Sequence, residues 1–209
     1  MKRCYIITAY METNLTDLIR PGSADYIICA DGGYEIAASF GITPDLVIGD
    51  SDSGNMAAFS GEKPKALLFP REKDESDTFL CVKHAAGLGF DEIVILGGIG
   101  GRLDHTIANI QVLSYFSGLI KSLRMSDGRN TAIVTQGPEI TLKRREGFTV
   151  SLFALSEKCC GVTTTGLRYP LTDAELSNTF PLGLSNAFTR EEATIGLKSG
   201  KLLIVMSRE

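Results

Sequence analysis

Residues 93–105 read Ile93-Val94-Ile95-Leu96-Gly97-Gly98-Ile99-Gly100-Gly101-Arg102-Leu103-Asp104-His105, an apolar run that breaks into a glycine-rich loop ending in an arginine and an aspartate. A short, wholly apolar run bounded by glycine reads as a strand buried on both faces, which is how parallel sheets are written. The pattern recurs upstream. Ile27-Ile28-Cys29-Ala30 runs into Asp31-Gly32-Gly33, Leu46-Val47-Ile48-Gly49 into Asp50-Ser51-Asp52-Ser53, and Leu67-Leu68-Phe69-Pro70 leads to Lys73-Asp74-Glu75-Ser76-Asp77. Parallel strands deliver such loops to one edge of a sheet, where open α/β sheets bind ligands. Hard carboxylate oxygens beside glycine-rich turns and an arginine suit a magnesium polyphosphate.

Strands are expected at Cys4–Thr8, Tyr26–Cys29, Leu46–Ile48, Ala66–Phe69 and Glu92–Leu96, alternating with helices at Leu15–Arg20, Tyr34–Phe40, Asn55–Phe59, Thr78–Leu88 and Thr106–Gly118. Asp74, Ser76 and Asp77 stand where side-chain oxygens cap a helix and the dipole favours negative charge, and Asp104 can cap the next helix in the same way. From Ser122 onward the pattern becomes short β-like runs divided by glycine turns, at Leu123–Met125, Thr131–Thr135, Ile140–Lys143, Thr149–Leu155, Val162–Thr165, Ala193–Leu197 and Leu202–Met206. The expected fold is therefore an α/β domain over residues 1–120, with a parallel sheet covered on both faces, and an all-β sandwich over 121–209.

Bulk properties narrow the function. The chain has 209 residues, 44% hydrophobic and 22% charged, with a formal net charge of −4. That balance predicts a buried core and argues against a nucleic-acid or anionic-membrane surface, both of which want a basic patch. No apolar run approaches transmembrane length, and the basic start at Lys2-Arg3 leads into a first strand rather than a signal peptide. The five cysteines, Cys4, Cys29, Cys81, Cys159 and Cys160, are odd in number and lack C-x-x-C spacing. Reduced, mostly buried thiols in a cytoplasmic protein are expected.

Each cluster admits a plain reading beside a chemical one. Asp50 and Asp52 point the same way if extended, and two like charges on one side call for a cation between them; otherwise they form a polar turn. Asp74 and Asp77 lie three apart on one face of a helix start, where a cap needs only one of them. These four are the candidate Mg²⁺ ligands. Gly97 to Arg102 is neither a P-loop nor the dinucleotide fingerprint, since Leu103 stands where the last glycine belongs. Its glycines still permit close backbone approach to phosphate, and Arg102 adds a permanently charged fork. His84 reads as structural, and His105 either touches substrate or serves the helix start. In the β-rich part Tyr169 can stack on a flat ring, and Ser185 and Asn186 can hydrogen-bond a heterocycle, or they are a strand aromatic and a turn.

In this order and register the clusters resemble the thiamine pyrophosphokinase (thiamine diphosphokinase) family, over residues about 29 to 188. The resemblance runs through Asp31-Gly32-Gly33, Gly49 to Ser53, Lys73 to Asp77, Gly97 to His105, Gly166 to Leu171 and Leu184-Ser185-Asn186. It implies an N-terminal α/β domain and a C-terminal sandwich, and a homodimer whose active sites lie at the subunit interface. It implies Mg²⁺-dependent transfer of the terminal pyrophosphate of ATP, the co-substrate, to the hydroxyl of thiamine, with AMP released. Asp50, Asp52 and Asp77 would carry Mg²⁺, with Asp74 nearby. Asp31 and Gly32 would sit at the nucleotide edge with Ser76, Gly98, Gly101, His105 and Asn109. Arg102 and Asp104 would meet the polyphosphate and the reacting hydroxyl. Tyr169, Ser185 and Asn186 would contact the rings. Ser76 replaces the family's threonine and keeps the hydroxyl, Ser51 replaces an aromatic, and Tyr169 stands where some members carry a stacking tryptophan. An Asp-x-Asp phosphatase of the haloacid dehalogenase type using Asp50 as nucleophile, a Mg²⁺-dependent nucleotide-sugar transferase and a non-catalytic nucleotide sensor are the competing readings.

Overall fold

The structure, a computed structural model, describes residues 2–19, 26–50, 64–137 and 139–208. The chain divides into two compact units, one formed by residues up to 112 together with 120–128, the other by 113–119 together with 129–209.

The first unit is built on six parallel strands, β1 (Arg3–Ile7), β2 (Tyr26–Ala30), β3 (Leu46–Asp50), β4 (Lys65–Phe69), β5 (Glu92–Leu96) and β6 (Ser122–Ser126), in the spatial order β6-β5-β1-β2-β3-β4. All adjacent pairs run parallel. Every residue of β5 is buried, as is β1 from Cys4 onward, which accounts for the apolar runs Ile93–Leu96 and Cys4–Ile7. Three helices, α1 (Gly33–Ser39), α2 (Asp77–Gly87) and α3 (Leu103–Phe116), follow β2, β4 and β5. The Ser76 hydroxyl caps α2 by accepting the Phe79 N–H at 3.2 Å. Tyr5, Ile7, Leu15, Cys29, Ala37, Val47, Val94 and Leu96 form one core cluster.

Two expectations change. The helix over Leu15–Arg20 is only a 3₁₀ turn at Leu15–Asp17, because Asn14 Oδ1 caps Thr16 N–H at 3.0 Å and buried Leu15 anchors a single turn. The run at Leu123–Met125 extends the parallel sheet beside β5 as β6: α3 is the crossover that a parallel neighbour requires. The helix expected over Asn55–Phe59 lies outside the described residues.

The second unit holds two antiparallel sheets. One has the order β12 (Gly183–Ala187), β9 (Phe148–Ala154), β14 (Leu202–Arg208), β7 (Asn130–Thr135); the other β11 (Ala174–Ser177), β10 (Lys158–Thr165), β13 (Glu192–Gly196), β8 (Ile140–Lys143). Val150, Leu152, Leu202 and Ile204 from the first and Leu142, Val162, Leu176 and Ile195 from the second share one core, which makes this unit a sandwich. No described helix is long and apolar enough to cross a membrane.

Candidate active site

The strand order of the first unit reverses between β1 and β5: from β1 the chain winds outward through β2, β3 and β4, then returns to β5 and β6 on the other side. The loops leaving β1 and β5 part at this switch point, and a crevice opens between them. A cleft of about 560 Å³ lies there, lined by residues from the loops after β1 through β5.

Its glycine-rich wall is held from behind by the loop after β1. Thr8 N–H and Oγ1 both donate to Leu96 O at 3.1 Å, and Gly98 N–H donates to Tyr10 O at 2.9 Å. Gly97 has φ +80°, and a Cβ there would stand 2.2 Å from Tyr10 O, so no other residue fits. The Tyr10 ring backs Gly101, where a Cβ would lie 2.8 Å from a ring carbon, and its hydroxyl donates to Glu12. Buried Asn109, on α3, donates from Nδ2 to Gly98 O at 3.0 Å. Gly100 N–H donates to Thr106 Oγ1 at 3.1 Å. The loop is thus fixed before it presents Arg102, whose Nε and Nη2 donate to the two oxygens of Asp104 at 3.2 and 2.6 Å. Asp104 also accepts the His105 N–H at 2.9 Å, from inside the first turn of α3. The Arg102 hydrogen bonds hold the Asp104 carboxyl below its ordinary pKa, and Asp104 raises that of Arg102 in return.

The opposite wall is acidic. Asp31 follows β2 in a left-handed conformation, φ +46°, with its N–H on Ile48 O at 2.7 Å. Asp50 ends β3, and Asp77 opens α2. Asp31, Asp50, Glu75 and Asp77 line the cleft, with Arg71, Lys73 and Arg102 as its cations. Lys73 Nζ stands 2.9 Å from Asp77 Oδ1, an oxygen that is buried and accepts no aligned hydrogen bond.

Of the residues expected from sequence, Asp31, Asp50, Ser76, Asp77, Gly98, Arg102, His105 and Asn109 meet in this cleft. Gly32 precedes α1, Gly101 packs on Tyr10, and Asp104 acts through Arg102. Asp74 is exposed and outside the lining, and Asp52 lies outside the described residues. Sequence reasoning missed Thr8, Tyr10, Arg71, Lys73 and Glu75 as lining residues. Lys73 had a signal, a cation heading an acidic run; Tyr10 had none beyond following the first strand.

The donor set suits a hard divalent cation. Among the described residues no three His, Cys, Asp or Glu side chains gather as a metal cage. Mg²⁺ asks for less: one or two carboxylates, with waters and substrate phosphates completing its octahedron. Asp50 and Asp77 supply two, and Asp77 Oδ1, which accepts no aligned hydrogen bond, already draws one cation, the Lys73 ammonium.

In the second unit the Asn186 side chain closes a clip on the Tyr169 backbone, accepting its N–H at 3.0 Å and donating to its carbonyl at 2.7 Å. Tyr169 is thereby presented with its ring exposed and the Arg168 guanidinium 5.7 Å from the ring centroid. Ser185, at φ +53°, sits in the bulge where β12 leaves the register of β9, its N–H on Ser151 Oγ at 3.0 Å.

Residues 21–124 match the family described as thiamin pyrophosphokinase, catalytic domain, and residues 139–202 match thiamin pyrophosphokinase, vitamin B1 binding domain. The chain is 27% identical over 186 residues to thiamine pyrophosphokinase of Bacillus subtilis (strain 168), covering 87% of each. It is 31% identical over 173 residues to thiamine pyrophosphokinase 1 of Oryza sativa subsp. japonica, covering 77% of this chain and 64% of the relative. The crystal structure of thiamine pyrophosphokinase from Bacillus subtilis shares the fold end to end, with a TM-score of 0.88 at 24% identity and complete coverage of both chains. Two family profiles matched in sequence, each over one of the two folded parts, carry the assignment: this chain belongs to the thiamine pyrophosphokinase family.

Proposed function

We propose that the protein is a thiamine diphosphokinase: it moves the terminal pyrophosphate of ATP to the hydroxyethyl oxygen of thiamine, giving thiamine diphosphate and AMP. The observation that carries this reading is the cleft at the sheet's switch point, where a braced glycine loop bearing Arg102 faces Asp31, Asp50 and Asp77. The thiamine hydroxyl oxygen forms a bond to the β-phosphorus and gives its proton to a cleft carboxylate, Asp77 in this reading, or to solvent, the bond from that phosphorus to the oxygen bridging it to the α-phosphate breaks, and AMP leaves with the electron pair. Such transfers need alignment and charge neutralisation more than covalent help.

Asp50 and Asp77, with Asp52, are the residues that would hold Mg²⁺, whose part when bound is to neutralise the phosphate oxygens. The glycine loop, its N–H groups spent on holding its own shape, sets Arg102 at the cleft, and the guanidinium donors that the Asp104 pair does not use receive the polyphosphate. Asp104, acidified by its bidentate bond to Arg102, aims that fork and is a poor proton acceptor. In the second unit exposed Tyr169, set in place by Asn186, offers a ring face for thiamine, and Ser185 a hydroxyl for its polar edge. The resemblance further implies a homodimer with its active sites at the subunit interface. A cytoplasmic setting agrees with the five cysteines being free thiols.

The test is incubation with thiamine, Mg²⁺ and ATP labelled on the β-phosphate. Label in thiamine diphosphate, with AMP release that depends on thiamine, is the expected result. A covalent aspartyl-phosphate on Asp50 with the label left on ADP, or phosphate release without thiamine, would replace this reading with a phosphatase.

A further inference from the structure

Lys73 stands in the cleft in a way that a loop lysine ordinarily does not. It lies in the segment between β4 and α2, yet only 14% of its side chain is exposed. A long lysine normally lays its stem on apolar surface and keeps its head in water. Here the ammonium points inward, 2.9 Å from Asp77 Oδ1. That oxygen is buried and accepts no aligned hydrogen bond. The contact is therefore an ion pair held by charge rather than by a directed donor, so it stabilises the carboxylate without fixing the lysine's geometry.

The charge pattern says why a cation is needed. Asp77 is the first residue of α2, at the positive end of the helix dipole. Asp31, Asp50 and Glu75 line the same cleft. Carboxylates gathered in one half-buried cleft repel one another, and a cation among them relieves the repulsion. Arg102 is committed to Asp104 through two hydrogen bonds. Lys73 fills the position that a divalent ion on Asp77 would claim.

We infer that Lys73 is an exchangeable counter-ion: it neutralises Asp77 in the metal-free protein, gives up that oxygen on metal loading, and turns its ammonium onto the polyphosphate. The inference rests on the pyrophosphate-transfer reading only for its last step. A lysine suits both positions, because its compact charge sits on a flexible four-carbon stem with three rotatable donors, whereas an arginine's planar fork would be harder to release. Two cations held on one carboxylate repel each other, so a divalent ion on Asp77 weakens the Lys73 contact and the Lys73 contact weakens the ion's hold. The cleft is thus kept neutral before and after loading by one side chain that moves.

The test is Mn²⁺ affinity without nucleotide, measured by paramagnetic titration on the wild type, Lys73→Met and Lys73→Arg, with Lys73→Gln as a second neutral variant should the methionine protein not fold. Removing the competing charge should tighten Mn²⁺ binding about tenfold or more, equivalent to about 1.4 kcal/mol. Lys73→Arg should bind Mn²⁺ no more tightly than wild type. The same neutral variants should lose about 10²-fold in kcat, as expected for losing a donor to the transferred group, with the thiamine KM little changed. Tighter metal binding with slower turnover is a pairing that a merely structural lysine does not produce. Mn²⁺ affinity that is unchanged or weaker in Lys73→Met, or absent from wild type and neutral variants alike, overturns the exchange. Tighter Mn²⁺ binding with unchanged kcat overturns the move onto phosphate. If the wild type shows no thiamine-dependent AMP release, the transfer reading fails, while the Mn²⁺ comparison still decides whether Lys73 occupies the metal's place.

Discussion

Asn109 joins packing to chemistry through one amide. Its Nδ2 holds the Gly98 carbonyl at 3.0 Å from a buried position on α3, and a Cβ at Gly98 would collide with that same nitrogen at 2.5 Å. Asn109→Ala leaves the carbonyl without its partner, at a cost of about 1–3 kcal/mol in stability. It also loosens the loop that carries Arg102, so the ATP KM should rise more than the thiamine KM; a lower melting temperature with unaltered kinetics would confine Asn109 to structure. In the proposed reaction Asp50 serves as a metal-binding charge. Asp50→Asn removes a metal-directed charge and almost no volume, so the fold should persist while kcat drops about 10²-fold or more at saturating Mg²⁺. Unchanged turnover would reject the metal role. At Tyr169 the ring and its support can be separated. Tyr169→Ala should raise the thiamine KM more than the ATP KM, and Asn186→Ala should do the same with the ring intact, because the Asn186 side chain, which also accepts the Ala187 N–H, bonds both the N–H and the carbonyl of Tyr169. Steady-state kinetics on the two variants check this, and a silent Asn186→Ala would show that the clip does not govern the ring.

Glu92 is the buried ion that fixes the register of three strands. From β5 it accepts Arg3 Nε of β1 at 2.7 Å and Arg124 Nη1 of β6 at 2.6 Å. A slip of one residue in either neighbour would break a pair and turn apolar side chains to the wrong face. Burial pushes the Glu92 carboxyl up, and the hydrogen bonds from Arg3 and Arg124 more than offset it, leaving its pKa below the ordinary value of 4.5. A depressed folded pKa means that the unfolded chain binds the proton more readily. The stabilisation is therefore complete above the ordinary glutamate range and is lost as pH falls through the folded value. Glu92→Gln should cost about 1–3 kcal/mol near neutrality, and its deficit against wild type should shrink below about pH 4. Denaturant titrations at several pH values test this, and a deficit independent of pH would show that charge is not what Gln removes. This network was invisible in the sequence, since nothing in Arg3, Glu92 or Arg124 announces that they meet. The strands themselves were legible: Glu92–Leu96 reads as β5 without correction, and Ile140–Lys143 as β8, because unbroken apolar runs or strict alternation end at turn residues. β11 and β12 were not foreseen, since Ala174–Ser177 and Gly183–Ala187 carry few apolar side chains and pair at sheet edges.

The two units differ in what sequence can say of them. In the first, the parts of the site that follow β2, β3 and β5 are legible because glycine or aspartate marks those strand ends, whereas Thr8 and Tyr10 after β1 carry no such mark. In the second, Tyr169 and Asn186 lie 17 positions apart and become partners only through the bulged pairing of β12 with β9 and the bridge from Leu167 to Phe188. The cores are also distinct: Ile7 belongs to the cluster around β1, β2, β3 and β5, Ile195 to the cluster inside the sandwich, and the two clusters share no residue. Both isoleucines are fully buried. Ile7→Val and Ile195→Val should each cost about 0.5–1.5 kcal/mol. With no shared packing partner, the costs should add in the double variant to within about 0.5 kcal/mol. Equilibrium unfolding of the wild type, the two single variants and the double variant closes this cycle. Ile7 leads directly into Thr8 and the loop that braces Gly98, so its substitution should also perturb ATP kinetics, whereas Ile195→Val should leave them at wild-type values. A coupling above about 1 kcal/mol, or an ATP KM that shifts with Ile195, would show that the sandwich core is read at the nucleotide cleft and that the units do not hold their cores independently.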